Sequence, residues 1–270
     1  MKVVLGGCAR DIANVIKISL NDMIKVGEEC SDYVIIVYEN DSVDRTFSIL
    51  HEYSLQNSKV IIISEKNVPG SRTERLSHGR NKILTMIRAR YAHFDFFINM
   101  DMDYERPITF SFLNLLSSWK DEWNVLTAVS RDRYYDWWAL RSEDILPYDC
   151  WNPRENADGD CSIIHAERSR NMPKNIIKVD SAFNGIGIYK IDTLIAKHYC
   201  KYIGKLDSID ICEHVEFHKC LGNVYIHPSI ISETWTDTPN KTQFHFFTVL
   251  LIIILALFCI GFYAKRHLVK

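Results

Sequence analysis

Four short apolar runs punctuate the first hundred residues: Lys2–Leu5, Tyr33–Tyr38, Val60–Ile63 and Phe94–Met100. Between them lie segments of helical periodicity, over Asp11–Gly27, Asp44–Tyr53 and His78–Tyr91. In the first of these, Ile12, Val15, Ile16, Ile18, Leu20, Met23, Ile24 and Val26 come close to a helical stripe. The second run, Tyr-Val-Ile-Ile-Val-Tyr, is unbroken and β-branched, as in a strand covered on both faces. A βαβαβαβ order leaves few alternatives to a parallel sheet with helices on its faces. The expected fold is therefore α/β, a Rossmann-type, mostly parallel sheet flanked by helices. Ligands of such sheets sit beyond the carboxyl ends of the strands, and the polar motifs of this chain fall there.

After the fourth run comes Asp101-Met102-Asp103. Side chains alternate along an extended chain, so both carboxylates project to one side. Two hard oxygen ligands at a strand end suit Mg²⁺ or Mn²⁺, which also takes oxygens from a substrate phosphate. After the second run comes Glu39-Asn40-Asp41-Ser42-Val43-Asp44-Arg45-Thr46. The oxygen-bearing side chains of this cluster could read a ribose and a base edge, while Asp41 or Ser42 also suits a helix cap. After the third run, Arg72, Arg75 and Arg80 would set forked donors near phosphates, with Asn81 beside them. Together these segments describe a nucleotide-diphosphate pocket with a metal. No GxxxxGK[ST] segment occurs, which excludes a P-loop NTPase.

Charge narrows the partners. The last 27 residues hold three of the 32 basic residues and no acidic one, so the preceding 243 carry 29 basic against 34 acidic residues. An acidic body argues against nucleic-acid binding by phosphate neutralisation. Eight cysteines show no CxxC pair and no zinc spacing, and reduced thiols are expected, with a Cys150–Cys161 bridge compatible with the spacing. Residues 244–263 run twenty positions without a charge, long enough as a helix to span a bilayer core. Lys265, Arg266 and Lys270 follow, and by charge alone favour a cytoplasmic tail. The apolar stretch after Met1 is too short for a secretory leader. The expectation is a single-pass C-terminal membrane anchor with a cytosolic catalytic domain.

A set of motifs in fixed order resembles a known family. It comprises Gly6-Gly7-Cys8-Ala9-Arg10, Tyr38-Glu39-Asn40-Asp41-Ser42, Arg72-Thr73 with Arg80-Asn81, and Asn99-Met100-Asp101-Met102-Asp103. Tyr135-Asp136-Trp137-Trp138-Ala139-Leu140-Arg141, Phe183-Asn184-Gly185-Ile186-Gly187-Ile188-Tyr189 and Cys212-Glu213-His214-Val215 complete it. Over about residues 3–232 the chain resembles the GT-A glycosyltransferases of large DNA viruses and some bacteria, and more remotely the fungal capsule-associated α-1,3-mannosyltransferases. The resemblance implies a GT-A-like domain over residues 1–236, with a nucleotide-binding half (1–103) and an acceptor half (104–236). A linker (237–243), a transmembrane helix (244–263) and a basic tail (264–270) follow. It implies that Asp101 and Asp103 hold Mn²⁺ or Mg²⁺ against the diphosphate of a UDP- or GDP-sugar, and that Glu39, Asp41 and Ser42 bind the nucleotide. His214, with His227 as second candidate, would complete the metal shell.

The acceptor, a glycan or glycoconjugate, is expected on the second half. Arg133–Arg141 gathers four aromatics around Asp136, and aromatic faces stack on sugars while carboxylates bond their hydroxyls. On an extended strand Asp136 and Trp138 would share a face. Trp151–Asp160 is a polar loop, lid or plain surface. The glycines of Phe183–Gly187 would admit close backbone approach or mark a bulge. Glu213 is the leading base for an inverting transfer, with Asp136 the second catalytic candidate. Two other classes fit the same residues: a nucleotide-binding module without turnover, and another nucleotide-sugar enzyme such as a nucleotidyltransferase.

Overall fold

A computed structural model describes residues 1–104, 115, 122–130, 134–152 and 175–232. The chain divides into a unit Met1–Thr234 and a second, Trp235–Lys270, which lies outside the described residues. So do the expected linker, membrane helix and tail, most of the Trp151–Asp160 loop, Arg133 and Cys161. Among the described residues no helix is long and apolar enough to cross a membrane.

The first four strands are β1 (Lys2–Ala9), β2 (Asp32–Asn40), β3 (Val60–Glu65) and β4 (Phe96–Met100), separated by helices α1 (Ile16–Glu28), α2 (Thr46–Gln56) and α3 (Arg72–Arg90). They pair in parallel in the order β3-β2-β1-β4, as the alternation of elements dictates. The second half departs from the parallel plan. It adds β5 (Val125–Ser130), β6 (Ile177–Val179), β7 (Ile186–Lys190), a two-residue-per-strand hairpin β8 (Lys205–Leu206) and β9 (Ile209–Asp210), and β10 (Val224–Ser232). Helices α4 (Ile191–Ala196) and α5 (Glu213–Leu221) complete it. The full sheet runs β3-β2-β1-β4-β7-β5-β10-β6, with β7 antiparallel to both β4 and β5, and β6 antiparallel to β10.

Period-two alternation sorts the core onto two faces. Val4, Val34, Ile36 and Tyr38 pack on one side with Ile83, Leu84 and Ile87 of α3. Val3, Leu5, Ile35 and Val37 pack on the other with Ile16, Leu20 and Met23 of α1 and Ile49 and Leu50 of α2. Local chemistry sets where elements end. β1 extends past Leu5 because Gly6 and Gly7 lie flat in the sheet; a Cβ on Gly7 would collide with the Met100 carbonyl and the Met102 side chain. α3 begins six residues before His78, at Arg72, because Ser71 and Glu74 form a reciprocal capping box.

The expected cap of α2 by Asp41 or Ser42 is corrected. Arg45 precedes the helix, Asp44 accepts from the Thr46 amide at 2.8 Å, and Ser42 Oγ accepts from the Asp11 amide instead. The expectation of reduced thiols is corrected as well: a disulfide joins Cys200, just beyond α4, to Cys220 of α5, with Cα atoms 5.7 Å apart.

Candidate active site

The carboxyl ends of β1, β2 and β4 meet at one sheet edge, since Ala9 stands in register with Glu39 and Gly6 with Asn99. A cleft of about 320 Å³ opens there. Cys8, Ala9 and Arg10 enter it from β1, Asn40 from β2, Asp101, Met102 and Asp103 from β4, and Arg72, Arg75 and Leu76 from the start of α3. The cleft thus sets three arginines opposite two carboxylates. Arg10 lies 3.5 Å from Asp11, and Arg75 Nη1 donates to the Gly70 carbonyl.

Behind the cleft lies a charge network. Arg80, on α3, is 4% exposed and bridges two carboxylates: Nη2 donates to Asp101 Oδ1 at 3.2 Å and Nε to Glu213 Oε1 at 3.0 Å. Its guanidinium lies over the Phe183 ring at 4.9 Å, and Nη1 is buried without a hydrogen-bond partner. Asp101 keeps 36% of its side chain open. Its carboxyl is pushed up to about 7, foremost by burial; Arg80 opposes this, while Asp103, Asp136 and Glu213 reinforce it. Around Asp101, the carboxyls of Asp103, Asp136 and Glu213 stand against Arg80, and a hard divalent cation would relieve their mutual repulsion. Two carboxylates suit Mn²⁺ or Mg²⁺, whose remaining ligands would have to be oxygens from outside this pair. Among the described residues no group of three His, Cys, Asp or Glu could hold a metal alone. The Cys8 thiol is pushed up to about 12 by burial and stays protonated.

The turn before β7 reaches back to Asp101. The Asp101 amide donates to the Gly185 carbonyl at 2.9 Å. Asn184 and Gly185 both take positive φ, 55° and 85°, a tight turn that glycine adopts without Cβ strain. Asn184 is a fully buried hub: Nδ2 donates to Ser130 and Ser232, and Oδ1 accepts from the amides of Tyr135 and Asp136. Asp136 answers by accepting from the Asn184 amide at 3.0 Å and the Ala139 amide at 3.3 Å. Burial raises the Asp136 carboxyl, and those two amide bonds partly offset it.

Several expected site residues stand elsewhere. Glu39 is fully buried and spends its carboxylate on the Ser42 amide and the Ser64 hydroxyl, so it shapes the β2 exit rather than facing a ligand. Asp41 accepts from the amides of Asn67 and Val68 and pins the neighbouring loop. Asn81 uses both side-chain polar atoms on the Tyr202 backbone. Arg80 is committed to Asp101 and Glu213 rather than open to a phosphate. Glu213 is 4% exposed and faces Arg80.

Among the described residues His214 is not grouped with Asp101 and Asp103 as a third metal ligand. Its ring stacks on Phe183 with centroids 3.8 Å apart, it is buried, and neither ring nitrogen has a hydrogen-bond partner. Burial, then Arg80 and His218, hold it neutral far below the usual histidine range. His227 is also buried, its Nδ1 accepting from the Ser229 amide. The expected strand through Trp137 and Trp138 is a turn: Trp137 is buried and Trp138 Nε1 donates to Asp149. Arg10, quoted within a motif but given no role there, also lines the cleft, as does Asn40 of the cluster after β2.

His218, one turn beyond His214, is fully buried between Tyr189 and Ser181, and burial pushes it down to about 3. The unfolded chain, with histidine near 6.5, takes up this proton first, so stability is lost as pH falls below about 6.5. Asp101, raised in the fold, works in the opposite direction, so the test is differential. The stability advantage of the natural chain over His218→Gln should shrink by about 1.4 kcal/mol per pH unit below 6.5 in urea titrations. A pH-independent difference would mean that His218 is charged in the fold.

No known family profile and no curated protein matches this sequence. Solved structures do match in fold. The mannosyltransferase PcManGT from Pyrobaculum calidifontis, in complex with GDP-Man and Mn²⁺, superposes with a TM-score of 0.52 at 12% identity, covering 88% of this chain and 58% of that one. S. aureus TarS (residues 1–349) in complex with UDP-GlcNAc matches with a TM-score of 0.49 at 14% identity, over 87% of this chain and 59% of that one. The chain thus spans somewhat over half the length of these two structures. The fold is a mixed α/β domain with a large, mostly parallel sheet, shared with a mannosyltransferase.

Proposed function

We propose that this chain is a metal-dependent glycosyltransferase of the GT-A type. It would move a hexosyl or pentosyl group from a UDP- or GDP-sugar to a glycan or glycoconjugate. The observation that carries this reading is the convergence of Asp101 and Asp103 with Arg10, Arg72 and Arg75 in one cleft at the sheet's carboxyl edge. The arginines pair with the two phosphates, and Ile12 and Asn40 flank the nucleoside. Asp101 and Asp103 would hold the Mn²⁺ or Mg²⁺, which would supply charge stabilisation to the departing diphosphate. A mannosyltransferase that binds GDP-Man and Mn²⁺ on the same fold supports the donor class.

Asp136, whose carboxyl burial makes more basic, takes the role of general base in a direct displacement. It accepts the proton of the acceptor hydroxyl. The hydroxyl oxygen bonds to the anomeric carbon, and the bond from that carbon to the diphosphate breaks. Glu213 anchors Arg80 and, through it, Asp101.

The test is Mn²⁺-dependent hydrolysis and transfer over a panel of UDP- and GDP-sugars. Asp136→Asn should cut transfer by about a hundredfold or more, with UDP or GDP affinity in calorimetry within a few-fold. Nucleotide binding without turnover on any donor would leave a binding module, and release of pyrophosphate from a nucleoside triphosphate would make the chain a nucleotidyltransferase.

The same proposal includes a membrane tether through residues 244–263, with the catalytic domain on the cytosolic face. The Cys200–Cys220 disulfide argues for the opposite face, because disulfides persist in oxidising compartments. Protection of the domain from protease in sealed vesicles decides between the two sides.

A further inference from the structure

A buried hydroxyl on α1 reaches the segment that carries Asp101 and Asp103. Ser19 is fully buried, and its Oγ donates to the Met102 carbonyl at 2.7 Å, across 83 positions of sequence. A serine inside a helix can return its hydroxyl to the carbonyl four residues back, which here belongs to Val15. Ser19 gives it instead to the peptide that joins Met102 to Asp103.

That peptide needs a support of its own. β4 ends at Met100 and the chain bends at Met102, so the pleat of the strand no longer sets the direction of Asp103. Asp101 is held from elsewhere, by its amide bond to the Gly185 carbonyl and by Arg80. Both of those contacts act before the bend.

Side chain and backbone anchor Met102 together. It is 1% exposed and packs in the cluster that contains Ile16, Leu20 and Met23 of α1. It lies against Gly7 of β1, where a Cβ would stand 2.7 Å from Met102 Cγ. With the side chain wedged there and the carbonyl bonded to Ser19, the residue is fixed at two points. Asp101 and Asp103, on either side of it, both line the cleft. Without its donor the buried carbonyl would have to turn toward another partner, and Asp103 would turn with it.

We propose that Ser19 is a positioning residue for the divalent cation: its hydrogen bond to the Met102 carbonyl fixes the peptide ahead of Asp103, and with it the separation and direction of the two carboxylates. The inference rests on the reading of Asp101 and Asp103 as the metal pair. It concerns affinity for the ion rather than the chemistry of transfer, so binding tests it without turnover.

The experiment measures Mn²⁺ binding by electron paramagnetic resonance on the full chain in detergent, with UDP or GDP present and corrected for the nucleotide alone. The natural sequence is compared with Ser19→Ala, Ser19→Thr and Asp103→Asn. Ser19→Ala should weaken Mn²⁺ by about tenfold, and Ser19→Thr, which keeps a hydroxyl, by less. In donor hydrolysis the Mn²⁺ concentration for half-activation of Ser19→Ala should rise by the same factor, with kcat at saturating Mn²⁺ within about twofold of the natural chain. A contact that served folding alone would lower the melting temperature and leave the Mn²⁺ affinity where it was. Natural affinity in Ser19→Ala beside lost affinity in Asp103→Asn would therefore overturn the positioning role and leave the metal pair standing. Binding by Ser19→Thr no better than by Ser19→Ala would overturn it as well. Absence of Mn²⁺ binding by the natural chain, or full binding by Asp103→Asn, would overturn the metal pair and the role of Ser19 with it.

Discussion

Asp101→Asn and Asp103→Asn are each expected to abolish Mn²⁺-dependent sugar transfer without unfolding the domain. Both side chains enter the cleft directly after β4, where a hard cation finds two carboxylates and the substrate's phosphate oxygens. Loss of a metal clamp on a leaving diphosphate costs several kcal/mol of transition-state stabilisation, on the order of a thousandfold or more in rate. Stability should respond differently from rate. The fold holds the Asp101 carboxyl well above its ordinary value, so it disfavours the charged form more than the unfolded chain does. A neutral amide of the same shape relieves that repulsion, although it gives up the ionic contact with Arg80. The melting temperature of Asp101→Asn at pH 8 should therefore equal or exceed that of the natural chain. Near-normal metal-dependent turnover in both variants would remove these residues from the site.

The largest loss of stability is expected from Arg80→Met. Arg80 is almost wholly buried between Asp101 and Glu213, and Glu213 is buried as well. Breaking a buried ion pair by removing one partner leaves the other charge uncompensated, at a cost of about 3–5 kcal/mol. In a domain of this size each kcal/mol lowers the melting temperature by roughly 2–4 °C, so the fall should be about 10 °C. Arg80→Lys keeps the charge but lacks the fork that reaches both carboxylates, and should lose less. The decisive comparison is the double variant Arg80→Met/Glu213→Gln. Neutralising the stranded carboxylate should return a substantial part of the loss, whereas additive losses would show that Arg80 contributes by packing on Phe183 rather than by charge.

The parallel half of the sheet was legible because its signals are local. Tyr33–Tyr38 is β-branched and continuous, the stripe Ile16-Leu20-Met23 repeats with helical period, and alternation of such elements admits one pairing scheme. Asp101 and Asp103 were legible for the same reason: a strand end projects its next residues toward the sheet's carboxyl edge whatever the rest of the chain does. The antiparallel β7 between β4 and β5 was not legible. Ile186–Lys190 is as apolar as a parallel strand, and its direction follows from which neighbours it meets.

The same division separates the polar residues. Sequence by itself determined which polar side chains emerge at the strand ends, since composition and period act over a few residues. Only the tertiary structure decided how each is spent. Glu39 read as a ligand contact until the Ser42 amide, three positions on, and the Ser64 hydroxyl claimed its carboxylate, and Asp41 and Asn81 until backbone amides from distant segments claimed their oxygens. His214 read as a ligand until Phe183, 31 positions earlier, covered its ring. Arg80 read as a phosphate contact until Asp101 and Glu213, 133 positions beyond it, closed on its guanidinium. Contacts of such separation are set by packing of the whole sheet against α3 and α5, and no local pattern encodes them.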